Sequence, residues 1–251
     1  MYCKWSAWHV EHCGAIAMAL LCAGVIRLGI LGKLQLYIHP RYTIFTLVMA
    51  GAGLIVALAS IAVGYRSQHA VQTATCARDN RTIAKVITAL LFVMACAGFL
   101  FVQPATLSAR TAVSRGIDRN SALTDANVSS ALFDTADYSQ LGIKDWSSLL
   151  AHYDANFFVG KTASITGFVA DNGNTNIFFA SRFFVTCCVV DAQPIGVPVY
   201  APDWRHRYSP NSWLEITGEF IENPDADSPH KIVLKPSRIQ SVAPPREPYV
   251  Y

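Results

Sequence analysis

The sequence is short of charged residues: Asp, Glu, Lys and Arg together make up only 15% of its 251 residues. A soluble globular domain usually carries about 25%. The deficit is uneven, because residues 13–104 are almost entirely apolar whereas residues 135–251 have an ordinary soluble composition. We therefore expect the two regions to occupy different solvents, lipid for the first and water for the second.

Signatures of known enzymes are also missing. The sequence has no Gly-x-Ser-x-Gly elbow, no His-Glu-x-x-His and no complete phosphate-binding loop. It also lacks the clustered stripe of Lys and Arg that nucleic-acid binding requires, since its basic residues gather around the hydrophobic segments. We therefore expect a protein that is not an enzyme and has no nucleic-acid partner.

Long hydrophobic runs predict three membrane spans, because about 20 apolar residues cross a hydrocarbon core of about 30 Å. We expect these spans at residues 13–31, 43–64 and 83–102 of a transmembrane region that covers residues 1–103. The chain is then a multi-pass protein of the cell membrane, with the lipid bilayer as a partner. Basic residues in the linker between the second and third spans favour a cytoplasmic linker and an extracytoplasmic C-terminal domain.

The polar half of the chain predicts a tether followed by a β domain. Residues 104–137 are rich in Ser, Thr, Ala and Asn, which is typical of a flexible tether. Residues 139–153 predict a short amphipathic helix with Trp146 and Leu149 on its apolar face. Five short strands follow, so residues 138–251 are expected to form an all-β domain, an OB-like small barrel. A small β-sandwich is the competing architecture.

The cysteines fall into two groups, and none of the seven has Cys-x-x-Cys spacing. Five are isolated in or near hydrophobic stretches, where cysteine is usually a small buried apolar residue. Cys187 and Cys188 are adjacent in the polar domain, with Asp191 close behind them. Thiolates and a carboxylate together suit a zinc-like metal ion, so these three residues are the candidate metal ligands.

Strand geometry complicates this metal hypothesis. Adjacent residues of a regular strand point to opposite faces, so Cys187 and Cys188 can bind one ion only where the chain bulges. A full tetrahedral shell would then need a distant histidine; the candidates are His152, His206 and His230. Two alternatives stay open, a redox-active or vicinal disulfide and a pair of buried structural cysteines.

Three further residues are candidates for a site. Arg182 precedes a very hydrophobic strand, where it is expected to pair with Asp191 or to face an anionic ligand. His39 and Arg41 lie at a predicted membrane boundary. Arginine is an ordinary interface anchor there, and His39 is alternatively a transport or metal-binding residue.

Several segments resemble the YcgQ-like family of bacterial membrane proteins, and together they cover nearly the whole chain in order. They are Tyr37–Arg41 (YIHPR), Pro104–Gly116 (PATLSARTAVSRG), Asn156–Val169 (NFFVGKTASITGFV), Arg182–Pro194 (RFFVTCCVVDAQP), Trp213–Phe220 (WLEITGEF) and Pro248–Tyr251 (PYVY). Family members often have Ala-Asp-Ala after the cysteine pair, where this chain has Val190-Asp191-Ala192. The resemblance implies a companion of a larger multi-span permease, with a link to metal or small-ion handling.

Three functional hypotheses follow. The first is an accessory or regulatory subunit of a multi-span membrane permease, as the resemblance implies. The second is a membrane-anchored module that binds a metal or another ligand on its own, as Cys187, Cys188 and Asp191 suggest. The third is a thiol redox protein, which the lack of Cys-x-x-Cys spacing disfavours.

Overall fold

The computed structural model describes residues 2–68, 87, 90–94, 98, 105–117, 138–225 and 228–251. The chain divides into two compact units, Met1–Ala105 and Thr106–Tyr251. The first unit contains helices α1 (Tyr2–Ile30) and α2 (Thr43–Gln68). The second contains short helices and six strands. Each unit is described separately below.

Helices α1 and α2 pack against each other in the first unit. Helix α1 ends at Ile30, and the chain then turns at Gly32, whose φ of 66° suits glycine. The N–H of Lys33 donates to the Leu28 carbonyl across this end. The 3₁₀ turn Pro40–Tyr42 then leads into α2. Gly53 of α2 lies against Cys22, because a Cβ atom at this glycine would come within 2.9 Å of the cysteine Sγ. Small residues thus let the two helices approach closely.

The prediction of three membrane spans is wrong. Within the described residues, only one helix, Pro40–Val63, is long and apolar enough to cross a membrane, with a mean hydropathy of 2.4. Only 11% of its most apolar window is buried, so it is not a core helix of this chain. Among the described residues of α1, the apolar segment Gly14–Ile30 falls short of the length required of a membrane span. Most of the predicted span at residues 83–102 lies outside the described residues.

In the part of the second unit that the structure describes, there are three short α-helices. Helix α3 (Ala109–Ser114) lies within the segment predicted as a tether, and it packs against the barrel. Helix α4 (Ile143–His152) confirms the predicted amphipathic helix and buries Ile143, Trp146 and Leu149 at spacings of three. Helix α5 (Ala155–Phe158) follows directly.

Five strands form a closed ring. They are β1 (Thr162–Ala170), β2 (Ile177–Phe184), β3 (Gln193–Tyr200), β4 (Trp213–Glu222) and β5 (Ile232–Val242). Their pairing runs β1–β2–β3–β5–β4 and returns to β1, with β3 and β5 parallel and the other pairs antiparallel. This closed ring fits the predicted OB-like barrel and not two stacked sheets. The short strand β6 (Tyr249–Val250) adds in parallel to the free edge of β2.

The barrel buries apolar side chains on both sides of β2. Inside, Phe178 belongs to a core that α4 and α5 close with Trp146 and Phe158. Outside, Phe183 packs in a second cluster with residues of α3 and with Tyr249 of β6. The near-continuous apolar sequence of β2 is typical of a strand covered on both faces. This second layer brings α3 and the C-terminal residues close to the loop that follows β2.

Candidate functional site

The candidate ligands Cys187, Cys188 and Asp191 lie together in the connection between β2 and β3. Strand β2 ends at Phe184, well before the cysteines, and β3 begins at Gln193. The N–H of Asp191 donates to the Cys188 carbonyl at 3.1 Å, which closes a β-turn. Because the cysteines lie in this irregular connection, the alternation of a strand does not separate their side chains.

The Asp191 carboxylate organises the connection by accepting backbone hydrogen bonds. The N–H of Cys187 donates to its Oδ2 at 2.7 Å, and the N–H of Cys188 donates to its Oδ1 at 3.3 Å. A short acidic side chain often replaces a backbone acceptor in this way. The carboxylate thereby stays on the same side of the turn as both thiols.

The donor atoms are close together and accessible. The two Sγ atoms are 3.5 Å apart, and these atoms and a carboxylate oxygen of Asp191 all lie within 4.8 Å of one another. Cys187 is exposed, and Cys188 and Asp191 are half-buried. The expectation of buried structural cysteines therefore does not hold for Cys187. Among the described residues, no other group of three or more such side chains could hold a metal ion.

The two thiols differ in acidity. Hydrogen bonding to the Asp191 carboxylate, and then to Cys188, raises the pKa of Cys187 to about 12. Hydrogen bonds from the backbone at Val190, and then from the Cys187 thiol, lower the pKa of Cys188. Partial burial opposes ionisation of Asp191, but hydrogen bonds from Cys187 and the backbone outweigh it and lower the pKa of this carboxyl. Of the two thiols, Cys188 therefore ionises more readily than Cys187, and the Asp191 carboxyl ionises more readily than an ordinary one.

Arg115 also holds this turn, a role that no local sequence pattern indicates. It follows α3 directly, and its guanidinium donates to the Val189 carbonyl at 3.4 Å and to the Ala192 carbonyl. Its partners lie 74 and 77 residues away along the chain. In the sequence, Arg115 is one of several basic residues near the hydrophobic segments, and nothing nearby distinguishes it from the others.

Arg182 does not form the predicted ion pair with Asp191. Its guanidinium donates to the Pro248 carbonyl at 3.2 Å and to the Glu247 carbonyl, so it holds the C-terminal segment beside β2. Burial lowers the pKa of Arg182, and the negative charge of Glu247 opposes that change. Its carbonyl partners give Arg182 a role in fixing the C-terminal residues.

His39 and Arg41 belong to the first unit, at the 3₁₀ turn before α2. The His39 Nδ1 accepts a hydrogen bond from the Arg41 backbone N–H at 3.1 Å, which caps this turn. The Arg41 guanidinium lies 5.5 Å from the centre of the Tyr42 ring. Both contacts are local and stabilise the turn that leads into α2.

The histidines proposed to complete a metal shell are not part of the donor cluster. The His152 ring contacts the Ser148 carbonyl one turn earlier in α4 at 2.8 Å. His206 lies in the 3₁₀ turn Trp204–His206, and the His230 ring packs edge-on against Phe179. The three donors of the turn therefore form the whole candidate site within the described residues.

A pocket of about 270 Å³ lies elsewhere on the second unit. Its lining comes from α4, α5 and the start of β5, and it includes Leu150, Phe158 and Ile232. His230, one of the histidines considered as a metal ligand, also lines this pocket, whereas Cys187, Cys188 and Asp191 do not. The donor cluster on the β2–β3 turn is thus separate from this concave part of the surface.

Comparisons with known proteins identify the family. The profile of the DUF1980 N-terminal domain matches residues 14–118, and that of the DUF1980 C-terminal domain matches residues 126–251. No curated protein and no solved structure matches the chain. Helix α3 lies at the end of the N-terminal match although it folds with the second unit. Since the two matches together span most of the sequence, the chain belongs to the DUF1980 family, whose function is unknown.

Proposed function

We propose that this protein is a membrane-anchored module that binds a zinc-like metal ion through Cys187, Cys188 and Asp191. The observation that carries the proposal is the convergence of two thiols and a carboxylate on one turn. The same carboxylate fixes the backbone of both cysteines, so the donors are already gathered. Pre-organised donors reduce the ordering cost of binding.

The distance between the sulfurs favours a tetrahedral ion. Two thiolates bound to zinc at about 2.3 Å with a tetrahedral angle are roughly 3.8 Å apart. A two-coordinate linear ion with bonds of the same length would need a separation of about 4.6 Å. The Sγ atoms are 3.5 Å apart, so the turn suits the tetrahedral ion with little movement.

The site supplies three donors and leaves a coordination position open. Structural zinc sites are usually closed by four protein ligands, whereas sites with exchangeable chemistry keep one position for water or another donor. The exposure of Cys187 keeps this position accessible from solvent. We therefore propose reversible metal capture, for sensing or delivery, as the task of the site.

We also propose a location and a partner. The helix Pro40–Val63 would anchor the chain in the cell membrane, with the second unit on the extracytoplasmic side. Its exposed apolar side chains, which include Ile44 and Ile55, suit lipid or another apolar helix. The partner that the YcgQ-like resemblance implies is a multi-span permease, and we propose that the module serves that permease as an accessory or regulatory subunit in metal handling.

The metal proposal is tested by zinc binding to the reduced full-length protein in detergent. We expect about one zinc per chain in the wild type. Cys187→Ser and Cys188→Ser should each weaken binding more than about a hundredfold, because removing even an outer partner of a metal ligand costs about ten- to a hundredfold. Cys22→Ala is the matched control, since it removes a buried thiol outside the site. Binding that survives the double replacement of Cys187 and Cys188 would overturn the proposal.

The partner proposal is tested by purifying the tagged protein from its native membranes in mild detergent. We expect a multi-span permease at a stoichiometric level, both with the wild type and with Cys188→Ser. Because Cys188→Ser removes a metal ligand, it shows whether the permease still binds when the metal site is lost. Reproducible purification without any stoichiometric permease would contradict the accessory role and leave the metal proposal standing.

A second candidate function is thiol–disulfide exchange, which the 3.5 Å sulfur separation and the lowered pKa of Cys188 favour. The Cys188 thiolate would attack a substrate disulfide and release one substrate thiolate. Cys187 would lose its proton and attack the mixed disulfide, releasing the second substrate thiolate and leaving a Cys187–Cys188 disulfide. The substrate disulfide is the oxidant, so the electrons balance. Incubation with oxidised glutathione tests this step, and a chain that retains both thiols would remove the candidate.

A further inference from the structure

Helix α3 is fixed to the barrel by buried side chains and by hydrogen bonds at its start. Ala109, Ala112 and Ile117 are buried in the outer apolar cluster. The N–H of Ala109 donates to the Asn211 side chain at 2.5 Å, and the N–H of Leu107 donates to the Tyr249 hydroxyl at 3.0 Å. The position of Arg115 relative to the β2–β3 turn is therefore set by contacts that do not involve its own side chain.

The Arg115 guanidinium contacts the chain on both sides of Asp191. Its two acceptors are the carbonyl of Val189, directly after Cys188, and that of Ala192, directly after Asp191. The segment between these carbonyls contains the last part of the β-turn that begins at Cys188 and brings the carboxylate back to the thiols. A planar guanidinium offers several donors in fixed directions, so it can hold two carbonyls at a defined spacing.

We propose that Arg115 is a positioning residue of the metal site and couples its occupancy to α3. This inference rests on the proposed metal binding at Cys187, Cys188 and Asp191. Arg115 keeps the turn in the form that presents all three donors, and a bound ion in return stabilises the turn that Arg115 holds. Metal occupancy thereby changes the stability of α3, the first element of the second unit along the chain.

The geometry of binding shows why the coupling acts through the turn. In a tetrahedral zinc site, a thiolate sulfur and a carboxylate oxygen are roughly 3.6 Å apart. The three donor atoms all lie within 4.8 Å of one another, so binding of an ion would need at most a small movement of the carboxylate toward the sulfurs. Asp191 lies between the two carbonyls that Arg115 holds, so this movement takes place in a segment fixed at both ends. Such a segment offers fewer competing conformations, which raises affinity.

Thermodynamic reciprocity relates the effect of Arg115 on metal affinity to the effect of metal on the turn that Arg115 holds. If Arg115 raises the affinity for metal by some factor, metal raises the stability of the Arg115-held state by the same factor. Coupling between sites is typically about 5- to 150-fold, and two hydrogen bonds from one guanidinium suggest a value of about tenfold. Arg110 provides the matched control, because it has the same charge, lies in the helix that Arg115 directly follows, and is exposed.

The experiment compares full-length wild type, Arg115→Ala, Arg115→Lys and Arg110→Ala in detergent. Zinc affinity is measured by competition with a chromophoric chelator. Hydrogen exchange of residues 106–117 is measured with and without zinc. We expect Arg115→Ala to bind zinc about tenfold more weakly and to lose the zinc-dependent protection of residues 106–117. Arg115→Lys, with a single donor group, should recover part of both effects, and Arg110→Ala should match the wild type.

The outcomes separate the two proposals. If the wild type binds no more zinc than the Cys187→Ser, Cys188→Ser double variant, the proposed function itself fails and the inference fails with it. If the wild type binds zinc but Arg115→Ala binds it equally tightly and keeps the protection of residues 106–117, only the inference is overturned. Equal weakening in Arg115→Ala and Arg110→Ala would show a general effect of charge and would also overturn it. Hydrogen exchange of the barrel strands reports whether each variant is folded. If Arg115→Ala is unfolded, Arg115→Lys provides the test in its place.

Discussion

The two units use the same residue type in opposite ways. In the first unit Cys22 is 8% exposed and lies against Gly53, where its sulfur fills the space between two helices. In the second unit Cys187 and Cys188 lie on an accessible turn beside a carboxylate. The chemistry of a cysteine is therefore set by its access to solvent and by the donors around it, since only a thiolate binds metal or attacks a disulfide.

The largest expected effect comes from removing a large buried side chain from the core of the second unit, which should leave the first unit intact. Trp146 is fully buried and lies 4.9 Å from the Phe220 ring, measured between ring centres. Trp146→Ala should lower the free energy of unfolding of the barrel by about 3–5 kcal/mol. Chemical denaturation followed by barrel tryptophan fluorescence measures this loss. Protection of Cys22 from alkylation should persist under conditions where the barrel of the variant unfolds, and simultaneous exposure of Cys22 would contradict the separation of the two units.

Alkylation rates compare the thiols directly. A pKa of about 12 for Cys187, against one below the usual 9.0 for Cys188, gives Cys188 at least about a thousandfold more thiolate near neutral pH. The thiolate of a weaker acid is also the better nucleophile. The expected ratio of the two alkylation rates is therefore smaller than the ratio of thiolate populations, about fiftyfold. Iodoacetamide labelling with peptide mass spectrometry should therefore find Cys188 fastest, then Cys187, with Cys22 protected in the folded protein.

The pH dependence of this labelling has a definite sign. Because the pKa of Cys188 is lowered, its labelling should begin at a lower pH than that of a free cysteine and reach a plateau earlier. Labelling of Cys187 should still rise with pH above that plateau. Identical pH profiles for the two residues would show that the turn does not distinguish them.

A smaller change is expected when the carboxylate charge is removed. Asp191 is the main cause of the raised pKa of Cys187, so Asp191→Asn should lower that pKa and make Cys187 label faster. We expect the difference between the two thiols to shrink from about fiftyfold to less than about tenfold. Asn keeps one acceptor oxygen for one of the two backbone hydrogen bonds, which limits damage to the turn. An unchanged ratio would mean that Asp191 does not govern the acidity of Cys187.

The smallest expected effect tests the structural role of Cys22. A methyl group added by Gly53→Ala would meet the Cys22 sulfur at 2.9 Å, so this variant should destabilise the helix pair by about 1 kcal/mol. Cys22→Ala in the same chain removes the obstacle and should restore most of the loss. Thermal unfolding of both variants in detergent measures the difference. A double variant as unstable as Gly53→Ala alone would contradict the contact.

Sequence patterns were sufficient for the barrel because its strands follow simple rules. Alternating or continuous apolar residues placed five strands, and their number and bending suggested an OB-like ring. The apolar stretches of the first unit were less informative. Hydrophobic composition alone predicted a span at residues 13–31, but among the described residues only the helix Pro40–Val63 is long and apolar enough to cross a membrane. Composition alone therefore does not distinguish a membrane-spanning helix from another apolar helix.

The site was predicted only in part, because its geometry depends on contacts far apart in sequence. The residue types at positions 187, 188 and 191 indicated metal chemistry, but alternation along a regular strand that included both cysteines would separate the thiols. The strand ends at Phe184, and the Asp191 side chain folds the connection back. Arg182 was paired with the nearest acid in sequence, yet it holds carbonyls of the C-terminal segment. No local pattern relates Arg115 to a turn more than 70 residues away.

The central claim is that both thiols and the Asp191 carboxylate bind one ion, and X-ray absorption at the zinc edge tests it most directly. For the zinc-loaded full-length protein, we predict two sulfur ligands at about 2.3 Å and oxygen or nitrogen ligands at about 2.0–2.2 Å. Cys188→Ser should reduce the sulfur contribution, whereas Cys22→Ala should leave the spectrum unchanged. A spectrum with no sulfur ligands, or one that loses sulfur only in Cys22→Ala, would contradict the claim.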